Sequence, residues 1–286
     1  MFNRKELFRR VAIVGVGFMG ASLGLAIKKK GLAREVIGIG RQEPSLKEAK
    51  DLGAIDEGTL DFNKGTVGAD LIVLAVPIQT MRATLEKMIE HSAPEAVVTD
   101  VGSVKEYVVR ELEPLITGKR SLVAAHPVAG KETTGAVAAD PALFRDRRVI
   151  LTPSAKSTPE AINKIEQLWD ETGACVEMMD AATHDAVLAR SSHLPQAVSS
   201  VLAAALAGEK VGDKIAAEYG AGGLRDTTRL AASSQRVVEK PSPLTRQAPK
   251  PRRLEAATSP STSITAVTSS APALYIAPAP AFSTHA

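Results

Sequence analysis

Cysteine is nearly absent: Cys175 stands alone among 286 residues. That excludes an intrachain disulfide and a cysteine-built zinc site, and suits a reducing cytoplasm. Aromatic residues make up only 3%, so any core must rest on Ala, Val, Leu and Ile. No apolar run approaches membrane-spanning length. The N-terminal "MFNRKELFRR" carries charge but no apolar segment behind it, so it is not a secretory signal. An excess of charge of either sign is missing from the body as well. Residues 236–286 hold six Lys/Arg and two Asp/Glu, which leaves the rest with 29 basic and 30 acidic side chains. The net +3 therefore belongs to the tail, and nothing in the body points to a nucleic-acid partner.

What is present reads as alternating short strands and helices. "VAIVG" (11–15), "EVIGIG" (35–40), "DLIVLAVP" (70–77), "AVVTDVG" (96–102) and "SLVAA" (121–125) are nearly continuous apolar runs. Such runs are expected where helices cover both faces of a parallel sheet. Between them "GASLGLAIKKKG", "PSLKEAKDLG", "TMRATLEKMIEH" and "VKEYVVRELEPL" have helical spacing. The pattern predicts a Rossmann-like, doubly wound α/β domain over 1–153, closed by "RRVILTP" (147–153). A mainly helical second domain is expected over 154–235. It begins with a helix capped by Ser157 or Thr158 and stopped at Gly173, then a short strand, "ACVEMM". From Arg236 onward, 31 of 51 residues are Ala, Pro, Ser or Thr. A segment with no periodic apolar face cannot offset its ordering entropy, so 236–286 reads as a disordered tail.

Chemistry enters at "VAIVGVGFMGASLG". Gly15, Gly17 and Gly20 follow a strand and open a helix, the context a dinucleotide fingerprint requires. Gly15 would permit the tight turn, Gly17 the approach of the pyrophosphate, and Gly20 the contact of helix with strand. Phe18 and Met19 lie in the same loop, whose N–H groups favour phosphate charge. A cofactor that is NAD usually meets an Asp or Glu at the end of the second strand. Here "IGRQEP" puts Arg41 there, which suits a 2′-phosphate and tilts the reading towards NADP. Glu43 lies close enough to keep NAD open. Because parallel strands end on one side, Val76 and Pro77, Ser103 and His126 all fall at the ligand-binding edge. An imidazole at that rim, facing a nicotinamide, has the chemistry of a general base. No histidine or carboxylate spacing suggests a metal.

Five segments together, "GVGFMGASLG", "TDVGSVK", "HPVAGKETTG", "THDAVLARSSHLPQ" and "GGLRDTTRLAASS", resemble the prephenate/arogenate dehydrogenase family of tyrosine biosynthesis. The likeness runs from about Arg10 to Ser234. It implies a homodimer that oxidatively decarboxylates prephenate to 4-hydroxyphenylpyruvate, or arogenate to tyrosine. It further implies that His126 takes the proton of the ring hydroxyl and that Ser103 orients that hydroxyl or the nicotinamide. Ser103 has a second reading, as cap of the helix that follows. Arg229 would hold a substrate carboxylate, although Asp226 three residues back offers it an ion pair. Glu132 would sit at the pocket mouth. Of the two histidines in the helical region, His193 is expected near the substrate and His184 in a structural place. Nine residues of straight helix would put them on opposite sides, with Pro195 able to bend the chain between readings. Gln196 stands where many relatives carry a histidine, leaving the fit to a keto or amino side chain open. The likeness breaks off at "QRVVEKPSPL", which reads as a frameshift or truncated frame and would leave the second domain and its dimer contacts incomplete. Without any enzyme activity, the chain would be a nucleotide-binding relic. A β-hydroxyacid dehydrogenase, the other enzymatic alternative, would need Lys131 or Lys164 as its base.

Overall fold

A computed structural model describes residues 6–130 and 134–232. The expectations for Glu132 and for the tail, including its disorder and any frameshift, lie outside those residues. The elements follow in the order β1 (Phe8–Val14), α1 (Phe18–Lys30), β2 (Ala33–Ile39), α2 (Glu43–Asp51), β3 (Glu57–Thr59), α3 (Phe62–Thr66) and β4 (Leu71–Leu74). Then come α4 (Ile78–Met88), β5 (Val97–Asp100), α5 (Lys105–Leu112), β6 (Ser121–Pro127), β7 (Arg148–Pro153), α6 (Pro159–Glu171) and β8 (Cys175–Met178). The helical part holds α7 (Ala181–Leu188), α8 (Leu194–Leu206), the hairpin of β9 (Lys210–Val211) and β10 (Lys214–Ile215), and α9 (Gly222–Thr228).

Eight strands form one sheet in the order β3-β2-β1-β4-β5-β6-β7-β8. The first six are parallel, as expected of a doubly wound domain. Successive residues of β1 serve two cores: Val11 and Ile13 belong to one apolar cluster, Ala12 and Val14 to the other. A strand whose side chains alternate between two buried faces must be apolar throughout, which explains the unbroken run. Helix α1 is flanked by Gly17 at its N-cap and by Gly31 at its C-cap, whose φ of 64° supplies the left-handed stop.

Two expectations change. Strand β7 joins the sheet beside β6 but does not close it: it runs antiparallel to β6, with His126 opposite Ile150, and β8 lies beyond it. The sheet also continues past Pro153, where the helical domain was expected to begin. Helix α6, capped by Thr158 through the N–H of Ala161, returns the chain so that β8 can pair parallel to β7. The "ACVEMM" strand thus extends the first sheet, because α6 buries Ile165, Leu168 and Trp169 in the same core as β1. The mainly helical part starts at α7. It forms one compact unit with the sheet domain.

Candidate active site

Glycine requirements define the phosphate loop. Gly15 has a φ of 94°, and a side chain there would meet the Ala75 carbonyl oxygen at 2.4 Å. A side chain on Gly20 would meet the Gly15 carbonyl at 2.0 Å. Both positions are glycine because the chain itself leaves no room. Gly17 differs: a Cβ there would point into open space, with nothing within 4 Å. The opening lies at the first turn of α1, whose leading N–H groups have no helical partner. A glycine the fold does not need, placed before free N–H groups, fits the approach of a diphosphate.

Beside the loop lies a cleft of about 460 Å³ lined by Gly15, Gly40, Arg41, Val76 and Pro77, with Phe62 and Thr80. Four expected cofactor residues thus share one cavity. Phe18 and Met19 turn their side chains towards the core instead, so they serve the loop through their backbone. Glu43 is absent from the cleft and lines a separate groove with Leu46, Lys47 and Lys50.

The second cluster gathers around His126, at the end of β6. The pairing of β5 with β6 stops at Val98 opposite Leu122. Beyond it, side chains take over the ladder. Asp100 Oδ1 accepts the N–H of Ala125 at 3.1 Å, while Lys105 Nζ donates to the Ala125 carbonyl at 2.7 Å and to Asp100 Oδ2 at 2.5 Å. Both ends of that ion pair are fully buried. Burial pulls the Lys105 ammonium down and the Asp100 carboxylate pushes back. The pair pins the backbone immediately before His126.

His126 is 8% exposed. Its Nδ1 lies 2.8 Å from His184 Nε2, and His184 Nδ1 lies 2.7 Å from Asp185 Oδ1. Asp185 in turn accepts the N–H of Lys105 at 2.7 Å and of Glu106 at 3.0 Å. It therefore caps α5, which has no cap of its own, and Ser103 does not fill that role. Ser103 is exposed in the turn between β5 and α5, where its hydroxyl remains available to a ligand.

His184 is thus no bystander. The expectation that it and His193 fall on opposite sides assumed an unbroken α-helix. Residues Ala189–His193 instead form a π-helical turn between α7 and α8. Its wider i→i+5 bonding advances less than 100° per residue and swings His193 back towards the His184 side. The two histidines are close enough to affect each other: His193 is lowered first by burial, against the pull of Asp185, with His184 adding to the fall. The π turn lies two residues before Pro195, the one local hint in the sequence. Nothing in the sequence marks Asp100, Lys105 and Asp185: Asp185 meets its backbone partners 80 residues away, and the Asp100–Lys105 pair carries no local sign that it is buried.

Farther along, Gln196 Nε2 donates to the Leu230 carbonyl at 2.6 Å, and Ser199 Oγ accepts from the Ala231 N–H at 2.9 Å. The two side chains hold the turn Arg229–Ala232 against α8. Gln196 spends its amide on the turn that carries Arg229, which is itself exposed.

The His126 imidazole is pushed down to about 3, first by burial, then by the charges of Lys105, His184 and His193, with Asp185 opposing. It is neutral at any physiological pH. An unfolded chain binds this proton below about 6.5, and the folded chain does so only near 3. Stability is therefore fully present above about pH 6.5 and is lost as pH falls towards 3. Denaturant melts across that window should show a slope of up to about 1.4 kcal/mol per pH unit from this group. A His126→Asn variant should lose that part of the slope, and identical slopes would contradict the assignment.

Residues 23–178 match the sequence model of the prephenate dehydrogenase nucleotide-binding domain, and residues 180–240 that of the prephenate dehydrogenase dimerization domain. The chain belongs to the prephenate dehydrogenase family. It is 34% identical over 232 residues to the cyclohexadienyl dehydrogenase of Zymomonas mobilis, covering 81% of this chain and 79% of that one. To the prephenate dehydrogenase of Bacillus subtilis it is 32% identical, over 78% of this chain and 61% of the relative. Among solved structures, an Aquifex aeolicus prephenate dehydrogenase with hydroxyphenyl propionate and NAD+ superposes with a TM-score of 0.74 at 34% identity, over 79% of each chain. Synechocystis arogenate dehydrogenase gives 0.68 at 33% identity, over 80% of this chain and 81% of that one. Prephenate dehydrogenases are oxidoreductases of tyrosine biosynthesis. The two matched domains meet between Met178 and Asp180, where β8 ends and α7 begins.

Proposed function

We propose that this chain oxidatively decarboxylates prephenate to 4-hydroxyphenylpyruvate, with NADP as the favoured cofactor. The observation that carries the reading is a neutral, pinned imidazole at the same sheet edge as the phosphate loop. When bound, the nicotinamide cofactor supplies the acceptor for the hydride that leaves the ring carbon bearing the hydroxyl. His126 takes the hydroxyl proton through Nε2, the ring nitrogen that has no partner among the described residues. As the carboxylate bond breaks, CO2 departs and its electron pair enters the ring, giving an aromatic product. The proton lent to His126 returns to the phenolic oxygen. Ser103, exposed beside this edge, orients the hydroxyl. Arg229 offers a fork for a substrate carboxylate, on a turn that Gln196 holds in place, with His193 and Glu132 completing the substrate contacts.

Turnover of prephenate and arogenate with NADP and NAD, followed by the absorbance of the reduced cofactor, tests the reading. Prephenate with NADP should be fastest, and no turnover of either ring substrate would defeat it. Arg41 is the basis for the cofactor choice, since it lines the cleft and Glu43 does not. Arg41→Ala should raise KM for NADP by about tenfold, the loss of one charge-assisted hydrogen bond, and change KM for NAD far less.

The partner proposed is a second copy. Leu194, Val198 and Val201 are all more than half exposed and share one stripe of α8 at i, i+4 and i+7. The opposite side of α8 is occupied, through Gln196 and buried Ser199. The stripe lies in the segment that matches the family's dimerization domain. Val198→Asp should shift the sedimentation coefficient to that of a monomer, whereas an unchanged dimer would place the interface elsewhere.

A further inference from the structure

Which nitrogen of His126 carries its proton decides whether the imidazole can act as a base, and the hydrogen bonds behind it determine the answer. The outermost member of the chain of hydrogen bonds is Asp185. Both of its oxygens accept backbone N–H groups, those of Lys105 and Glu106, at the first turn of α5, where such donors have no helical partner. A carboxyl committed to two N–H donors acts as an acceptor. Burial pushes its pKa up, but the His184 and backbone hydrogen bonds outweigh that and leave it lowered. His184 Nδ1, 2.7 Å from the same carboxylate, must therefore be the protonated nitrogen. A neutral His184 then has a bare Nε2, which accepts from His126 Nδ1–H across 2.8 Å. That fixes the His126 proton on Nδ1 and leaves Nε2 with a free lone pair. The reverse assignment needs either a protonated Asp185, which would forfeit a backbone hydrogen bond at the α5 terminus, or a doubly protonated His184 that donates from both ring nitrogens, and the His184 spectrum separates that case.

We propose that Asp185 and His184 are positioning residues that hold His126 in the Nδ1–H tautomer, so that Nε2 faces the ring hydroxyl as an acceptor. The proposal rests on the function above for its catalytic meaning, although the tautomer itself does not. Neither residue touches the substrate. They act through His126, first by setting the proton and then by sharing the positive charge that forms when Nε2 is protonated. The other charged or titratable groups facing His126 are Lys105 and His193, and neither makes a hydrogen bond to its ring among the described residues.

Histidine side-chain 15N spectra of the full, labelled chain test this directly, since only five imidazoles need assigning. Near pH 8, His126 should show a pyrrole-like Nδ1 and a pyridine-like Nε2. Asp185→Ala removes the acceptor of the His184 Nδ1 proton, which should release both rings and leave His126 a mixture of the two tautomers. The same variant should lose about a hundredfold in kcat for prephenate, at the lower end of what a general base contributes, with KM little changed. A residue that merely capped α5 would alter stability and leave the tautomer alone. A wild-type His126 protonated on Nε2 overturns the relay, as does an unchanged single tautomer in Asp185→Ala. Should the variant fail to fold, the wild-type spectrum alone decides. A correct tautomer in a chain inactive on prephenate and arogenate would support the relay and refute the proposed function.

Discussion

Replacing His126 with Asn should lower kcat for prephenate by about 10²–10⁴, the range for removing a general base. Cofactor affinity should stay near the wild-type value. The separation follows from where the parts sit. The glycine loop and its cleft are built from β1, β2 and the turn after β4, while His126 ends β6 and contacts α7. An asparagine is smaller than histidine and can still hydrogen-bond to His184, so the strand should keep its place. It cannot accept the hydroxyl proton. Cofactor binding by fluorescence and single-turnover hydride transfer would read the two effects separately. A loss of less than about tenfold in the transfer step would remove His126 from the role of base, since a positioned base contributes more than that.

Much of this arrangement was legible because its causes are local. The crowding at Gly20 and the positive φ at Gly15 arise within one strand–turn–helix unit, although the carbonyl that crowds Gly15 belongs to Ala75, so the spacing of three glycines was enough. Unbroken apolar strands marked a sheet covered on both faces, and parallel topology then brought their ends to one edge. The reversal of β7 was not legible, because "RRVILTP" is equally apolar in either direction. Its sense depends on the path from Val128 to Arg147. Strand β3, three residues with little burial, has no pattern to detect. The turn of His193 back towards His184 was hidden for a geometric reason: helical periodicity cannot reveal a π turn. Asp185 caps a helix that begins 80 residues earlier, and no window along the chain spans that distance. Lys105 looks like an ordinary solvated residue at the start of an amphipathic helix, yet it lies entirely inside.

That buried lysine leads to the second large effect. Lys105→Met should destabilise the fold by about 3–5 kcal/mol, the usual penalty for breaking a buried ion pair. The substitution nearly conserves volume and adds no clash, so cavity formation explains little of the loss. Two polar groups lose their donor instead: the Asp100 carboxylate, still 0% exposed, and the Ala125 carbonyl. Asp100 would keep the N–H groups of Gly102 and Ala125, which hold its negative charge without neutralising it. A second change, Asp100→Asn in the Lys105→Met background, removes the stranded charge. Because the pair is costly to desolvate in the first place, the double variant should be more stable than Lys105→Met alone. Denaturant midpoints of the wild type, both single variants and the double variant complete the cycle. If Lys105→Met melts within about 1 kcal/mol of wild type, the ammonium is not paired as described, since a stranded buried charge costs more. Lys105 also depresses the pKa of His126, so its removal should carry the His126 titration upward. Stability would then fall over a narrower acid window in Lys105→Met than in the wild type, which ties the pinned strand end to the protonation of the imidazole it presents.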